Sequence, residues 1–213
     1  MDPIVIVLIV IIIVLVYYLY YSYNKSIQNK DKLFNLNNEN STISSTDLAN
    51  PKSSKFSYTI WIYVNTWNTN FRKDIIIAKS TDSSIVSLNL GTTSPTLVAQ
   101  IYNNDPFTLT NNFPIQKWVH IVITVDSNVV DCYLDGKMVV SKQLTNIINI
   151  PSSYAINFGR FDAYLTGFEY RSEPMNPQQV WSKYMSGNGY DGGKYGVNLA
   201  ITKDDKVVSQ LTY

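Results

Sequence analysis

The residues able to perform catalysis are few, and their spacing defines no active site. The chain contains one histidine, His120, and one cysteine, Cys132. Its only glutamates are Glu39, Glu169 and Glu173. A single cysteine forms neither an intramolecular disulfide nor a cysteine-based zinc site, and a single histidine excludes multi-histidine metal sites. This inventory excludes most hydrolytic sites, so the sequence predicts a protein that is not an enzyme.

His120 and Cys132 each have a structural interpretation beside the chemical one. His120 lies in an alternating strand pattern, and the sequence indicates no Ser or Asp partner that would make it a catalytic base. Cys132 shares a strand face with Val130 and Leu134, where a buried cysteine behaves as a small hydrophobic residue. Both residues are therefore predicted to be structural.

Aspartates and aromatic side chains provide the remaining candidate binding residues. Asp126, Asp131 and Asp162 could supply oxygen atoms to calcium, which takes about six to eight of them. No loop has the regular spacing of a calcium site, so no cofactor is predicted. Aromatic residues at strand period belong to a core more often than to a sugar-binding surface. The aromatic residues that could stack on a sugar are Trp61, Trp67, Tyr102 and Tyr164.

The overall charge gives no indication of a nucleic-acid partner. The 213 residues carry 17 Lys and Arg against 16 Asp and Glu, which leaves a net charge of +1. A protein that binds nucleic acid concentrates basic residues to neutralise phosphates. The 16 tyrosines instead favour β structure.

An uncharged N-terminal run predicts a transmembrane helix over residues 1–22. Every residue from Ile4 to Val16 is Ile, Val or Leu, and the run continues from Tyr17 to Tyr21 without a charge. As a helix it would cover roughly 27 Å at about 1.5 Å per residue, close to the hydrocarbon thickness of a bilayer. A strand of this length would be far outside the usual range. A cleaved signal peptide would need a basic start and a small-residue cleavage site, which the flanking residues do not provide.

The charges that follow this run predict its orientation. Lys25, Lys30 and Lys32 come directly after it, so the positive-inside rule places the C-terminal part on the cytosolic side. The glycosylation sequons at Asn24 and Asn40 would argue for the lumenal side, but such triplets arise readily in an Asn- and Ser-rich segment. The sequence thus predicts a single-pass membrane protein.

The rest of the chain divides into a linker, a sandwich and an extension. Residues 23–54 are rich in Asn, Ser, Lys and Thr, which predicts a flexible linker. Phe56–Val64 alternates at the period of a strand. Further strands are predicted at Asp74–Ala78, Ile85–Leu90, Leu97–Tyr102, Trp118–Val125, Val129–Leu134, Lys137–Lys142, Ile156–Gly159 and Leu165–Arg171. This spacing predicts an all-β fold, an antiparallel two-sheet sandwich over 55–188, and a C-terminal β-hairpin over 189–213.

Two local patterns place a turn and a helix within this sandwich. Asp135-Gly136 between two strands predicts a two-residue hairpin, because a type I′ turn needs positive φ at both positions. Asn176 can cap a short helix that starts at Pro177 and ends before Gly187. Its apolar stripe, expected to pack on a sheet edge, consists of Val180, Trp181, Tyr184 and Met185.

The order of several motifs resembles that of laminin G-like, concanavalin A-type jelly rolls. Trp118–Val125 is similar to the family strand with Trp, His and Thr at alternate positions, here Trp118, His120 and Thr124. A hairpin follows, as in the family, with Tyr133, Asp135 and Gly136. The closing strand Gly167–Arg171 and the helix from Met175 onward also match, and the resemblance covers roughly residues 55–187.

The resemblance implies a binding protein. Members of this family bind glycans or proteins, sometimes through calcium, and a related branch hydrolyses β-glucans. The enzymatic branch carries a Glu-x-Asp-x-x-Glu strand, which the stretch from Glu169 to Glu173 does not match. The resemblance therefore implies no catalytic residues here.

A membrane-anchored jelly roll rich in Ile, Asn and Tyr also resembles virion proteins of large DNA viruses with an inner lipid membrane. This resemblance implies a minor capsid protein that ties the virion inner membrane to the protein shell, with the sandwich on the cytosolic, capsid-facing side. The hairpin Val197–Tyr213 is the expected shell contact, because an edge strand offers unpaired backbone groups. The alternative is a carbohydrate-binding attachment lectin.

Overall fold

The computed structural model describes residues 3–26, 28–30, 33–37, 42–189, 198–203 and 206–212. Two antiparallel sheets dominate these residues, which confirms the predicted two-sheet sandwich. The helices are α1 (Pro3–Ser26) and α2 (Pro177–Met185). The strands are β1 (Gln28–Lys30), β2 (Phe34–Asn35), β3 (Thr42–Ser44), β4 (Lys55–Val64), β5 (Lys73–Lys79), β6 (Ser84–Leu90), β7 (Leu97–Ile101), β8 (Phe107–Thr110), β9 (Trp118–Asp126), β10 (Val129–Leu134), β11 (Lys137–Gln143), β12 (Ala155–Phe158), β13 (Ala163–Arg171), β14 (Asn198–Lys203) and β15 (Lys206–Thr212).

The first sheet has the order β1-β13-β4-β9-β10-β11, and β2 pairs with the other end of β13. The second sheet has the order β3-β12-β5-β6-β7-β8. β14 and β15 pair with each other as the predicted C-terminal hairpin. Asp204 and Asp205, expected at the tip of that hairpin, lie outside the described residues, as do Lys32 and Asn40.

The core lies between the two sheets and follows the predicted alternation. The alternate residues of β4 that face the second sheet are at most 2% exposed. Aromatic rings from both sheets meet here, with the centroids of Phe158 and Phe168 5.1 Å apart. Cys132 is fully buried in the same core, in agreement with its predicted structural role.

The predicted hairpin turn at Asp135 and Gly136 is present. Both residues have positive φ, +47° and +77°, as a type I′ turn requires. A Cβ at Gly136 would lie 2.8 Å from Cε3 of Trp181, so this glycine also permits close approach of α2. The turn therefore connects β10 to β11 and provides part of the surface on which α2 packs.

A β-bulge in β13 changes which residues face the core. Between Thr166 and Glu169 the register against β4 shifts, and Gly167 has a φ of +59°. Because the bulge inserts one extra residue, Glu169 points to the outer face instead of the core. Phe168 and Tyr170 fill the core on either side of it.

α2 packs on the outer face of the first sheet, where the sequence predicted a sheet edge. Val180 is buried in a small second cluster with Val122, Tyr133 and Met175. These residues lie on the side of the sheet opposite the main core, so α2 buries apolar side chains on the outer face of the sheet. Trp181 remains 46% exposed, so only part of the predicted apolar stripe is buried.

Part of the predicted linker 23–54 belongs to the sandwich. β2 pairs with β13, and β3 pairs with β12. Phe34, Leu36, Ile43 and Leu48 are buried in the main core. These strands have two or three residues each, so they show no hydrophobic period from which they could be predicted.

The predicted transmembrane localisation is wrong. Among the residues that the structure describes, no helix combines the length and the apolar composition needed to cross a membrane. Ile4, Val16, Tyr17 and Tyr21, the predicted anchor residues, lie within α1. The correction also removes the predicted cytosolic orientation and the place in a virion inner membrane.

Candidate functional site

His120 is enclosed between the first sheet and α2. Its ring packs beside the stacked rings of Trp61 and Tyr184, with centroid distances of 4.8 and 6.0 Å. Its Nε2 is 2.8 Å from Oγ1 of Thr59. Its backbone N–H donates to Oδ1 of Asp135 at 2.9 Å, and the Asp135 N–H donates to the His120 carbonyl at 2.9 Å. These contacts attach the histidine strand to the hairpin turn and to α2.

The environment of His120 keeps its imidazole neutral. Its pKa is lowered from 6.5 to about 4, mainly by burial and also by the Lys183 ammonium, while the Asp135 carboxylate acts in the opposite direction. Its Nδ1 is buried and has no hydrogen-bond partner among the described residues. Because α2 closes the site, a substrate cannot reach the ring, and the geometry supports the structural interpretation of His120.

Glu169 forms an ion-pair network that the sequence did not indicate. Its carboxylate is 5% exposed and lies 2.7 Å from Nζ of Lys183 and 3.7 Å from Nη1 of Arg171. Glu173 is exposed, and its carbonyl accepts a hydrogen bond from the Ser57 hydroxyl. One carboxylate is thus neutralised under α2 while the other faces solvent, an arrangement unlike the pair about 5 Å apart that a retaining glycosidase needs.

The calcium candidates lie at opposite ends of the first sheet. Asp126 and Asp131 line one cavity of about 220 Å³ near the start of β4, where Asp126 pairs with Nζ of Lys55 at 2.8 Å. Asp162 lies beyond the other end of β4, whose ten residues span about 30 Å. The structure therefore brings together only two of the three aspartates.

Neither end offers calcium enough oxygen ligands. The Lys55 hydrogen bond holds the pKa of Asp126 below its usual value, so this carboxylate already has a cation. Asp162 accepts hydrogen bonds from three side chains, which also lower its pKa: Thr66, Asn65 and Asn37. No group of three or more His, Cys, Asp or Glu side chains suited to a metal ion occurs among the described residues. The residues present do not fit an ion that takes about six to eight oxygens.

Three of the four candidate sugar-stacking residues have other roles. Trp61 is 7% exposed and stacks on Tyr184 under α2. The ring of Trp67 faces Nζ of Lys73 at 4.0 Å from its centroid. Tyr102 packs against the main core with a φ of +50°. Tyr164 is the fourth, and it lies on the outer face of the first sheet.

Tyr164 is one of three aromatic residues in register across neighbouring strands, here called the aromatic row: Tyr164, Tyr63 and Trp118. Tyr164 of β13 pairs with Tyr63 of β4, which pairs with Trp118 of β9. All three are half-buried, and the Tyr63 and Trp118 centroids are 5.6 Å apart. Adjacent strands are about 4.8 Å apart, so the row extends over about 10 Å. Alternation along β4 and β9 could have indicated Tyr63 and Trp118, but only the strand order aligns them with Tyr164.

The two antiparallel sheets, the closing helix and the buried histidine strand define a lectin-type jelly roll. A laminin G-type family model, described as the concanavalin A-like lectin/glucanases superfamily, matches residues 37–186. The chain belongs to this superfamily. The matched region begins within the predicted linker, in agreement with the buried residues found there.

Solved structures share the fold at low sequence identity. The binding domain of botulinum neurotoxin serotype G superposes with a TM-score of 0.54 at 18% identity, over 75% of this chain and 46% of that one. The botulinum neurotoxin DC binding domain, solved with rat synaptotagmin II, has a TM-score of 0.54 at 15% identity, with the same coverage of 75% and 46%. A sialidase from Trypanosoma rangeli has a TM-score of 0.53 at 12% identity, over 64% of this chain and 24% of that one. The chain thus spans less than half the length of each of these proteins. No curated protein matches its sequence.

Proposed function

We propose that this chain is a non-enzymatic recognition module that binds an oligosaccharide on the aromatic row. The row carries the proposal because it presents three half-buried rings on one face, in register across three strands. The faces of aromatic rings are electronegative and attract the C–H groups on the apolar face of a sugar ring. A length of about 10 Å favours several linked sugars over a single one.

Polar groups beside the aromatic row can orient such a ligand. Asn35 of β2 pairs with Tyr164, and Lys117 precedes Trp118. Nζ of Lys117 lies 3.2 Å from the Asp135 carboxylate and is exposed. A few polar groups around an apolar surface fix the orientation of a bound ligand.

The absence of catalysis is part of this proposal. Its support is that Glu169 is neutralised by Lys183, and that His120 is enclosed by Trp61 and Tyr184. The neurotoxin neighbour, solved with synaptotagmin, is a binding domain, while the sialidase neighbour is an enzyme by name. Hydrolysis of a bound saccharide by the purified chain would contradict this part of the proposal.

A glycan array with aromatic-row variants tests the binding site. We expect the wild type to bind a defined set of oligosaccharides, and Tyr63→Ala and Tyr164→Ala to lose at least about tenfold in affinity. Trp181→Ala, an exposed aromatic on α2 outside the row, is the matched control and should bind as the wild type does. Unchanged binding by both row variants would exclude the row as the site.

A second candidate function is a structural contact with other proteins, such as those of a virion shell. It is favoured by an apolar surface on α2 and the edge strand β11, where Trp181, Met185 and Met138 are 46%, 64% and 47% exposed. We propose that this surface, together with the hairpin over 189–213, contacts the partner. Trp181→Asp and removal of residues 189–213 should each impair incorporation into the native assembly while the sandwich stays folded by circular dichroism.

A further inference from the structure

A groove runs between the end of β13 and one side of α2. We call it the basic groove; its volume is about 470 Å³, and its lining residues include Arg171, Gln178, Ser182 and Lys183. Arg171 is seven residues beyond Tyr164 along β13, a distance of about 23 Å, so the basic groove is separate from the aromatic row. No Asp or Glu is among its lining residues.

The charges at the basic groove do not balance. Among the described residues, Glu169 is the one carboxylate that forms ion pairs with Lys183 and Arg171, so these three side chains together carry one positive charge in excess. Lys183 is the closer of the two cations, with its Nζ 2.7 Å from Oε2 of the buried carboxylate. Arg171, at 3.7 Å, is beyond hydrogen-bond distance, and the described hydrogen bonds include none from its guanidinium.

The unused donors of the basic groove suit an oxyanion. A guanidinium presents five N–H donors in a planar fork that matches carboxylate, sulfate and phosphate oxygens. Both cations are 30% exposed, so they are accessible to a ligand while partly shielded from water. The carbonyl groups at the end of α2 are capped by Ser186 and Gly187, which limits their repulsion of an anion.

We propose that the basic groove binds an oxyanion, with Arg171 as the bidentate donor and Lys183 as the second cation. The chemistry is shared by a free inorganic anion and by the sulfate group of an acidic saccharide. It does not depend on the aromatic row, because the two surfaces share no residue.

Titration of the purified full chain with sodium sulfate at low ionic strength tests the proposal, with binding followed by calorimetry and by NMR shifts. Arg171→Gln should weaken sulfate binding by about tenfold or more, because it removes a charged hydrogen-bond donor and leaves Lys183 to pair with Glu169. Glu169→Gln should tighten it by about threefold, because it removes the competing carboxylate. Arg160→Gln, an exposed arginine outside the groove, is the matched control and should change nothing.

A variant that had lost its fold would bind sulfate more weakly, so tighter binding by Glu169→Gln shows an effect on the site itself. Thermal unfolding monitors the fold of each variant independently. If Glu169→Gln does not fold, Arg171→Lys replaces it, and it should bind more weakly than the wild type but more tightly than Arg171→Gln. If a sulfated heparin tetrasaccharide also binds, and its binding also depends on Arg171, the anion belongs to a saccharide. If inorganic sulfate binds and the tetrasaccharide does not, the ligand is a free anion. Equal sulfate affinity in the wild type and Arg171→Gln would overturn the proposal. Neutral chitotetraose tests the aromatic row alone, through Tyr63→Ala.

Discussion

The buried imidazole of His120 makes the stability of the sandwich depend on pH. The pKa of His120 is about 4 in the folded chain and 6.5 when unperturbed. Because His120 binds a proton at higher pH in the unfolded chain than in the folded chain, the stabilisation that depends on neutral His120 is complete above about pH 6.5. It is lost as the pH falls toward 4, by up to about 3 kcal/mol.

We predict that His120→Gln flattens this dependence. Gln can keep a hydrogen bond to Thr59 but does not titrate, so its free energy of unfolding should fall less than that of the wild type between pH 6.5 and 4. Urea unfolding at several pH values measures the difference. As a control, Gln143→His adds an exposed histidine on β11 and should leave the pH dependence of the free energy of unfolding as in the wild type. If His120→Gln does not change this pH dependence, its assignment to His120 is wrong.

At the scale of elements, α2 depends on its first turn. The Asn176 side chain accepts a hydrogen bond from the Gln179 N–H at 2.9 Å, and the Gln179 side chain accepts one from the Asn176 N–H at 2.9 Å. Asn176→Ala removes the first of these bonds, so we expect a loss of about 1 kcal/mol in the free energy of unfolding. Thermal unfolding measures it, and Asn128→Ala, at an exposed turn position, is the control that should remain near the wild type.

The sequence predicted the elements with a clear period and missed those without one. The long strands and α2 were found within one or two residues of their ends, because each has several alternating or helical positions. β1 to β3, with two or three residues each, were missed because they are too short to show a period. β8 was missed although it has four residues, as many as the predicted β12. The placement of α2 was missed because Val122 and Tyr133 look like surface positions of their strands until a helix covers them.

The candidate sites depended on pairings that no local pattern contains. Tyr164 was found as a sugar-stacking candidate, but its neighbours in the aromatic row come from strands about 45 and 100 residues earlier in the chain. The basic groove depends on the bulge at Gly167, which places the Glu169 side chain on the outer face of the first sheet instead of in the core. A glycine within a strand indicates a bulge only in general terms, so the reversal could not be predicted.

At the scale of the whole molecule, the segment before β4 is part of the folded unit. Phe34 and Leu36 are 8% and 1% exposed, and the Leu36 N–H donates to the Ala163 carbonyl at 3.0 Å. We predict that a chain starting at residue 38 is less stable than one starting at residue 33 by several kcal/mol, since each lost core side chain costs about 2–5 kcal/mol. Urea midpoints of the two truncations measure this, and equal midpoints would mean that the segment does not contribute.

The strand order of the first sheet also has a consequence during synthesis. β4 pairs with β9 on one side and with β13 on the other, and β13 is made about 100 residues after β4. At about 5–20 residues per second, roughly 5–20 s pass before the partner emerges. During that time the aromatic and β-branched strand Lys55–Val64 has at least one unpaired edge, which is a template for aggregation. A nascent chain that stalls before Ala163 should therefore need a chaperone to stay in solution, while one that has passed Arg171 should not.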